Sequence, residues 1–348
     1  MILVGDVRDK LREITPKSIQ TCVTSPPYWG LRDYGVLGQI GLESTPEEYV
    51  ANMVEVFRLV RERLTDDGTL WLNLGDSYAR PAGKGQHKPG SAGKQNYIIE
   101  RGGGRAASQG IPPGLKDKDI VGIPWRVAFA LQADGWYLRQ DIIWSKPNPM
   151  PESVRDRCTK SHEYIFMLSK QAKYYYNADA IKNPPSPALL KQVAEGYNGQ
   201  DTKAYATSGA QSASGTKTRI VENARAKIDK QSGHSRRHAG FNARWDNLTH
   251  EEQMALGSNK RSVWTVSPKP FRGAHFATFP PDLIEPCILA GSRPGDTVLD
   301  PFGGSGTTGM VADRHGRQYT LIELNPNYAA MAEKRIADDR EIRRKALT

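Results

Sequence analysis

Cysteine is scarce in this 348-residue chain: Cys22, Cys158 and Cys287 are the three, odd in number and far apart. With no CxxC pair, neither a disulfide framework nor a cysteine-built zinc cage is expected, and a reducing cytoplasm is the expected compartment. Long apolar runs are also missing, so no segment reads as a membrane span. The opening MILVGDVRDKL reads as a strand and turn, without the basic start and long apolar stretch of a signal peptide. His234, His238 and His250 lack metal-ligand spacing beside cysteines, and no metal is expected. Acidic excess is missing as well. Lys and Arg number 48 against 38 Asp and Glu, a formal charge of +10. Such a balance says nothing about fold, but it favours a polyanionic partner, nucleic acid first.

What is present is an alternation of helix and strand. Met1–Val4 and Thr21–Thr24 read as short buried strands. Val50, Met53, Val54, Phe57, Val60 and Leu64 fall at helical spacing, which predicts a helix over Tyr49–Leu64 ending in the turn TDDG. A strand over Thr69–Leu74 follows, then a helix over Pro124–Asp134 and strands over 137–146 and 162–170. This order is that of an α/β sheet protein. Two stretches break it. Residues 81–118 are rich in Gly and Pro, hold 7 Lys and Arg against 2 Asp and Glu, and read as a long mobile loop. Residues 184–262 are polar, with 12 Lys and Arg against 7 Asp and Glu, and read as a separate module. The expected division is 1–183, 184–262 and 263–348.

The segment after that module is a compact strand, glycine turn, helix and strand. Thr297–Asp300 runs into Pro301-Phe302-Gly303-Gly304-Ser305-Gly306, a helix starts near Thr307, and the next strand ends at Glu323. Glycines let a ligand approach the backbone, and an acid ending the next strand can take a ribose diol. Gly304, Gly306 and Gly309 spell G-x-G-x-x-G, so a nicotinamide dehydrogenase is one candidate. Against it, about 25 residues follow Glu323, fewer than a dinucleotide domain normally needs. Asp300 and Phe302 also stand where a pyrophosphate would be repelled. A carboxylate there suits the cationic sulfonium of S-adenosylmethionine.

TSPPYWG, Thr24–Gly30, gives that cofactor a reaction to serve. Pro26 and Pro27 stiffen the chain and donate no backbone hydrogen bond. Carbonyls near Ser25 and Pro26 can then accept from an amine with two hydrogens, and the Tyr28 ring can stack on a base. Accepting both hydrogens favours a pyramidal nitrogen with an available lone pair. Asp33 in GLRDYG is a candidate for the leaving proton, or a residue capping a turn. Asp6 in VGDV follows the first strand and is a candidate cofactor contact. HFATFP, His275–Pro280, is expected to line the methionine end through Thr278.

TSPPYWG, then HFATFP, LDPFGGSGTT and IELNP far downstream, resembles the bacterial and phage DNA amino-methyltransferases, in the β order of motifs. The resemblance spans nearly the whole chain outside 81–118 and 184–262. It implies the S-adenosylmethionine-dependent methyltransferase fold: α/β, a mixed and mostly parallel seven-stranded sheet with helices on both faces and an inserted target-recognition segment. It implies cofactor contacts at Asp300, Phe302, Gly304, Gly306 and Glu323, and a catalytic set of Ser25, Pro26, Pro27 and Tyr28. The implied reaction is on N4 of cytosine or N6 of adenine in double-stranded DNA. Serine at position 25 is more typical of the cytosine enzymes, with adenine the alternative. The target base is expected to leave the duplex. Trp29 is then a candidate DNA contact or a core residue, and Arg236, Arg237 and Arg244, near Trp245, suit phosphate or guanine contacts. A homodimer is implied by analogy. A partner restriction nuclease is not legible.

Overall fold

The computed structural model describes residues 1–81, 104–105, 110–149, 151–185, 257–269 and 279–346. Most of 81–118, most of 184–262, Arg236, Arg237, Arg244, Trp245, the three histidines of that segment and Thr278 lie outside the described residues. The chain divides into two units, Met1–Ile181 with Arg261–Thr348, and Lys182–Lys260. Within the second, the described backbone contains an antiparallel bridge between Asn183 and Ser258.

The strands of the first unit are β1 (Ile2–Val4), β2 (Ile19–Thr24), β3 (Arg32–Asp33), β4 (Leu64–Leu74), β5 (Gly104–Arg105), β6 (Tyr137–Ser145), β7 (His162–Ser169), β8 (Val263–Thr265), β9 (Thr297–Asp300) and β10 (Gln318–Glu323). The helices are α1 (Val7–Glu13), α2 (Pro46–Arg63), α3 (Ile123–Ala133), α4 (Pro281–Gly291), α5 (Thr307–Arg314) and α6 (Pro326–Ala346). Among the described residues, eight strands form one sheet in the order β1-β10-β9-β2-β4-β7-β6-β8, and β3 pairs with β5 in a small ribbon. The sheet is mixed and mostly parallel; β7 alone among these eight runs against its neighbours, β4 and β6. The strand beyond the expected seven is β8, three residues pairing parallel with β6 at the edge.

Period-two alternation builds a core on each face. Cys22, Leu70, Leu72, Phe166, Leu168, Leu299 and Ile322 point to one side, where α1, α2 and α3 cover them. Val23, Trp71, Ile165, Met167, Val298 and Leu321 point to the other, under α4, α5 and α6. All six residues of β2 are buried, as expected of a strand covered on both faces. Helix α2 shows the local logic. Thr45 Oγ1 accepts from the Glu48 amide at 3.2 Å, and Glu48 Oε2 accepts from the Ser44 amide at 3.0 Å. Pro46 opens the first turn, and Arg61 and Arg63 sit in the last. The buried face is Tyr49, Met53, Val56, Phe57 and Val60.

Two local expectations are corrected. TDDG is not a free turn: it is the bulged start of β4, where Ile19 pairs with Leu64 and Thr21 already pairs with Thr69. The start of the chain is a strand followed by a helix rather than a turn, because Asp6 caps α1 by accepting from the Arg8 amide at 2.8 Å.

Among the described residues, no helix is long and apolar enough to cross a membrane.

Candidate active site

The carboxyl ends of β1, β2, β4, β6, β9 and β10 meet along one edge of the sheet, where open α/β sheets hold their ligands. Because β7 is antiparallel, it contributes its beginning to that edge: Ser145 lies opposite His162 and Trp144 opposite Glu163. A cavity of about 610 Å³ runs along this edge, within the usual size of small-molecule sites. Asp6, Ser25, Pro26, Pro27, Tyr28, Asp300, Phe302, Gly304 and Glu323 all line it.

At one end stands the glycine turn after β9. Asp300 is 2% exposed, yet its carboxyl is met by neutral donors. Thr24 Oγ1 donates to Oδ1 at 2.6 Å, the Phe302 amide to Oδ1 at 3.0 Å, and Thr308 Oγ1 to Oδ2 at 2.7 Å. Burial pushes its pKa up to about 6, against the opposing pull of these three bonds. Glu323 accepts from the Gly304 amide at 2.8 Å and from the Asn325 amide at 2.9 Å. Burial raises its pKa too, and those two amides work against the rise. The Thr24–Asp300 bond ties the strand before Ser25 to the glycine turn, across 276 positions of sequence.

Gly306 belongs to the packing rather than to the lining. Its φ of +77° starts α5, and a Cβ there would lie 2.8 Å from the Cβ of Ala332 on α6. Gly306, expected as a cofactor contact, also lets two helices approach. Asp6 lines the cavity while capping α1. Of HFATFP, the described Phe279 lines the cavity and Pro280 precedes α4.

The other end is built on Tyr28. Ser25 Oγ donates to Tyr28 Oη at 3.3 Å, and Tyr28 Oη donates to Glu163 Oε2 at 2.7 Å. Asn73 Nδ2 donates to the same Glu163 oxygen at 3.2 Å, and Lys146 Nζ donates to Glu163 Oε1. Burial, and then the charge of Glu163, push the Tyr28 hydroxyl well above its ordinary pKa. The ring lies against Gly75, where a Cβ would come within 2.6 Å of it. Lys160 Nζ donates to the Asp76 carbonyl at 3.0 Å, and burial lowers its pKa.

Two expectations at this end change. Trp29 is 7% exposed in the core under α2, and its indole donates to the Glu43 carbonyl at 2.9 Å. A ring so enclosed offers no face to DNA, and the expected contact is withdrawn. Asp33 caps a turn by accepting from the Gly35 amide at 2.8 Å, outside the cavity lining. Sequence reasoning missed Asn73, Lys146, Lys160 and Glu163. Their signal was a polar or charged side chain at or just beyond the end of an apolar strand, but which ends meet depends on β7 running backwards.

A buried carboxylate with neutral partners in a cavity wall suits a cationic ligand and repels a pyrophosphate. The donor set therefore fits a nucleoside carrying a cation, as S-adenosylmethionine does. An open α/β sheet with this turn, this acid and this cavity defines a nucleoside-cofactor enzyme of methyltransferase type.

Comparison with known proteins carries the assignment further. The fold is shared with the PvuII DNA methyltransferase (cytosine-N4-specific), at a TM-score of 0.54 and 17% identity over 97% of this chain and 90% of that one. It is shared also with a protein of Thermus thermophilus described as a putative DNA modification methylase and complexed with S-adenosyl-L-methionine, at 0.53 and 22% over 97% and 93%. Two Type II methyltransferases are similar along their length. M.Cfr9I of Citrobacter freundii is 43% identical over 95% of this chain and 86% of its own. M.SmaI of Serratia marcescens is 43% identical over 96% and 90%. A family model described as DNA methylase, of the N6/N4 type, matches residues 19–334. The chain belongs to the N6/N4 DNA methylase family. It is a DNA amino-methyltransferase with S-adenosylmethionine as methyl donor, and the dehydrogenase candidate falls.

Proposed function

We propose that the chain methylates the N4 amine of cytosine in double-stranded DNA, on a base turned out of the duplex. One observation supports this above others: Ser25 and Tyr28 line the same cavity as Asp300 and Glu323. An acceptor for an amine and a holder for a cation thus share one space. Glu323 would accept from ribose hydroxyls, Gly304 and Phe302 would bring backbone and ring against the nucleoside, and Asp300 and Asp6 would face the cationic end. Bound S-adenosylmethionine supplies an electrophilic methyl group. The chain must then make a poor nucleophile act. The amine lone pair is delocalised into its ring, and Ser25 Oγ with a neighbouring carbonyl accept its hydrogens and favour the pyramidal form. The Pro27 carbonyl is engaged by Tyr49 Oη at 2.9 Å, which fixes the loop and leaves the Ser25 and Pro26 carbonyls for this role.

Serine rather than aspartate at position 25 favours cytosine, and the fold shared with the cytosine-N4-specific PvuII enzyme agrees with that choice. N6 of adenine is the second reading. The segment 184–262 reads the DNA sequence in this proposal, with Arg236, Arg237 and Arg244 on phosphate or guanine. The similarity to Type II methyltransferases supports a role in restriction–modification. The test is to incubate the protein with labelled S-adenosylmethionine and mixed DNA, digest to nucleosides and identify the labelled one. N4-methylcytosine is expected. N6-methyladenine as sole product overturns the base assignment.

A further inference from the structure

We propose that Tyr28 and Glu163 are the exit route for the proton that the amine loses on methylation. The proposal rests on the reading above that Ser25 contacts the amine. Three hydroxyl or carboxyl groups stand in line from the cavity inwards: Ser25 Oγ to Tyr28 Oη at 3.3 Å, and Tyr28 Oη to Glu163 Oε2 at 2.7 Å. Asn73 Oδ1, 3.2 Å from Tyr28 Oη, competes for the phenol proton; with that proton on the shorter, charge-assisted bond to Glu163, donation at both links runs away from the amine. The line ends at an acceptor on which Tyr28 Oη, Asn73 Nδ2 and Lys146 Nζ all converge. That is the arrangement of a carboxylate, since a neutral acid would have a proton of its own to place.

The step balances. As the nitrogen gains its methyl it becomes positive, and one N–H bond breaks with the electron pair staying on nitrogen. The proton passes to Ser25 Oγ while the Ser25 proton moves to Tyr28 Oη and the Tyr28 proton to Glu163 Oε2. Each hydroxyl ends with the one proton it began with. A positive nitrogen and a carboxylate become a neutral amine and a neutral acid. The raised pKa of Tyr28 fits this use, because the group stays a hydroxyl and moves a proton only by taking one as it gives one. Glu163 keeps 15% side-chain exposure and lines the cavity, so it can return its proton to water. Around it stand Lys146 from the end of β6, Lys160 before β7, and, beyond Lys160, Asp76 and Glu152. Serine and tyrosine hydroxyls are poor bases, which is why a carboxylate has to close the line.

A purely positional role is separable from this one, because glutamine in place of Glu163 can still accept from Tyr28 but cannot take its proton. The experiment measures single-turnover methyl transfer on saturating DNA for Ser25→Ala, Tyr28→Phe, Glu163→Gln and the double variant of the last two. Calorimetry gives the Kd for S-adenosylmethionine and for DNA alongside. Tyr28→Phe and Glu163→Gln are each expected to slow the step about 100-fold. Both Kd values should hold, and the double variant should be no slower than either single one, as for groups acting as a unit. A wild-type rate in Tyr28→Phe or Glu163→Gln, or a double variant whose loss is the product of the two, overturns the relay. Should Glu163→Gln fail to fold with Lys146 unpaired, Tyr28→Phe keeps the ion pair and decides alone. An undiminished rate in Ser25→Ala defeats the reading of Ser25 itself. A slow Ser25→Ala beside a normal Tyr28→Phe defeats the relay only.

Discussion

At the glycine-turn end of the cavity, the one proposed for the cofactor, Asp300, Phe302, Gly304 and Glu323 come from one strand–turn–helix–strand stretch, and their carboxylates bond to hydroxyls and amides. At the Tyr28 end, the one proposed for the target base, Ser25, Tyr28, Asn73, Lys146 and Glu163 come from four separate strands or the loops that follow them, and an ion pair sits among them. Among the described residues, the Asp300 carboxylate at the first end bonds only to neutral donors, and a cation of this end, Arg8, stands 3.8 Å from Asp6, so Asp300 itself suits a cationic ligand. The second carries its own cation, Lys146 on Glu163, so a neutral ligand suits it. Neutral DNA bases and a positively charged methyl donor are what the second and first ends respectively suit. The difference teaches that a site for a charged ligand is held unfinished, while a site for a neutral one is internally balanced.

The largest expected effect breaks that balance. Lys146 and Glu163 keep 19% and 15% side-chain exposure, so Lys146→Met leaves a largely buried carboxylate without its cation. Loss of one partner from such a pair costs about 3–5 kcal/mol, read as a shift in urea unfolding. A shift below about 1 kcal/mol would place the pair with ordinary surface ion pairs and erase the contrast between the two ends.

Glu323→Ala tests the other side. Two amide donors lose their acceptor, and the ribose would lose its own. S-adenosylmethionine affinity should fall by about 1.5–3 kcal/mol, while DNA affinity holds. Calorimetric titration of both ligands checks it, and an unchanged cofactor Kd means that Glu323 serves the glycine turn alone.

Asp300 sharpens the same point through pH. Its folded pKa is raised from 3.8 to about 6, so its favourable share of folding stability is complete below pH ~4 and lost as pH rises through about 6. A cation in the cavity favours the ionised form. Binding should therefore release a proton, and affinity should fall as pH drops below about 6, by at most ~1.4 kcal/mol per unit. Asp300→Asn should weaken binding at a pH of about 7.5, above the folded pKa, and flatten this profile. A profile as steep in Asp300→Asn as in wild type would assign the titration elsewhere.

The smallest effect concerns Trp29. Trp29→Phe removes one bond to the Glu43 carbonyl and should cost about 1 kcal/mol of stability with DNA affinity unchanged. Weaker DNA binding in a variant that melts normally would restore the contact that burial argues against.

Much of this molecule was legible in the chain. The stretch Thr297–Asp300 was expected as a strand and is β9 with the same bounds, because a short apolar run before a glycine turn has few other ways to fold. Apolar spacing starts helix α2 at Tyr49, whereas the cap formed by Ser44, Thr45 and Glu48 starts it at Pro46. The placing of Asp300 and Glu323 beside the glycine turn was legible for a similar reason: their geometry is set by neighbours within a few residues or one strand away. Trp29 shows where such reasoning stops, since an aromatic beside Ser25-Pro26-Pro27-Tyr28 looks the same whether it faces DNA or the core. Gly306 shows it again, since a turn glycine can be required by a ligand or by the helix behind it, here Ala332 of α6. Lys146 and Glu163 were beyond reach. They are 17 residues apart, and they meet because β7 runs antiparallel between β4 and β6. Local patterns of hydrophobicity and turn chemistry determined the strands and the glycine turn. Strand direction depends on hydrogen bonds between distant segments, and it decided which charges would face Tyr28.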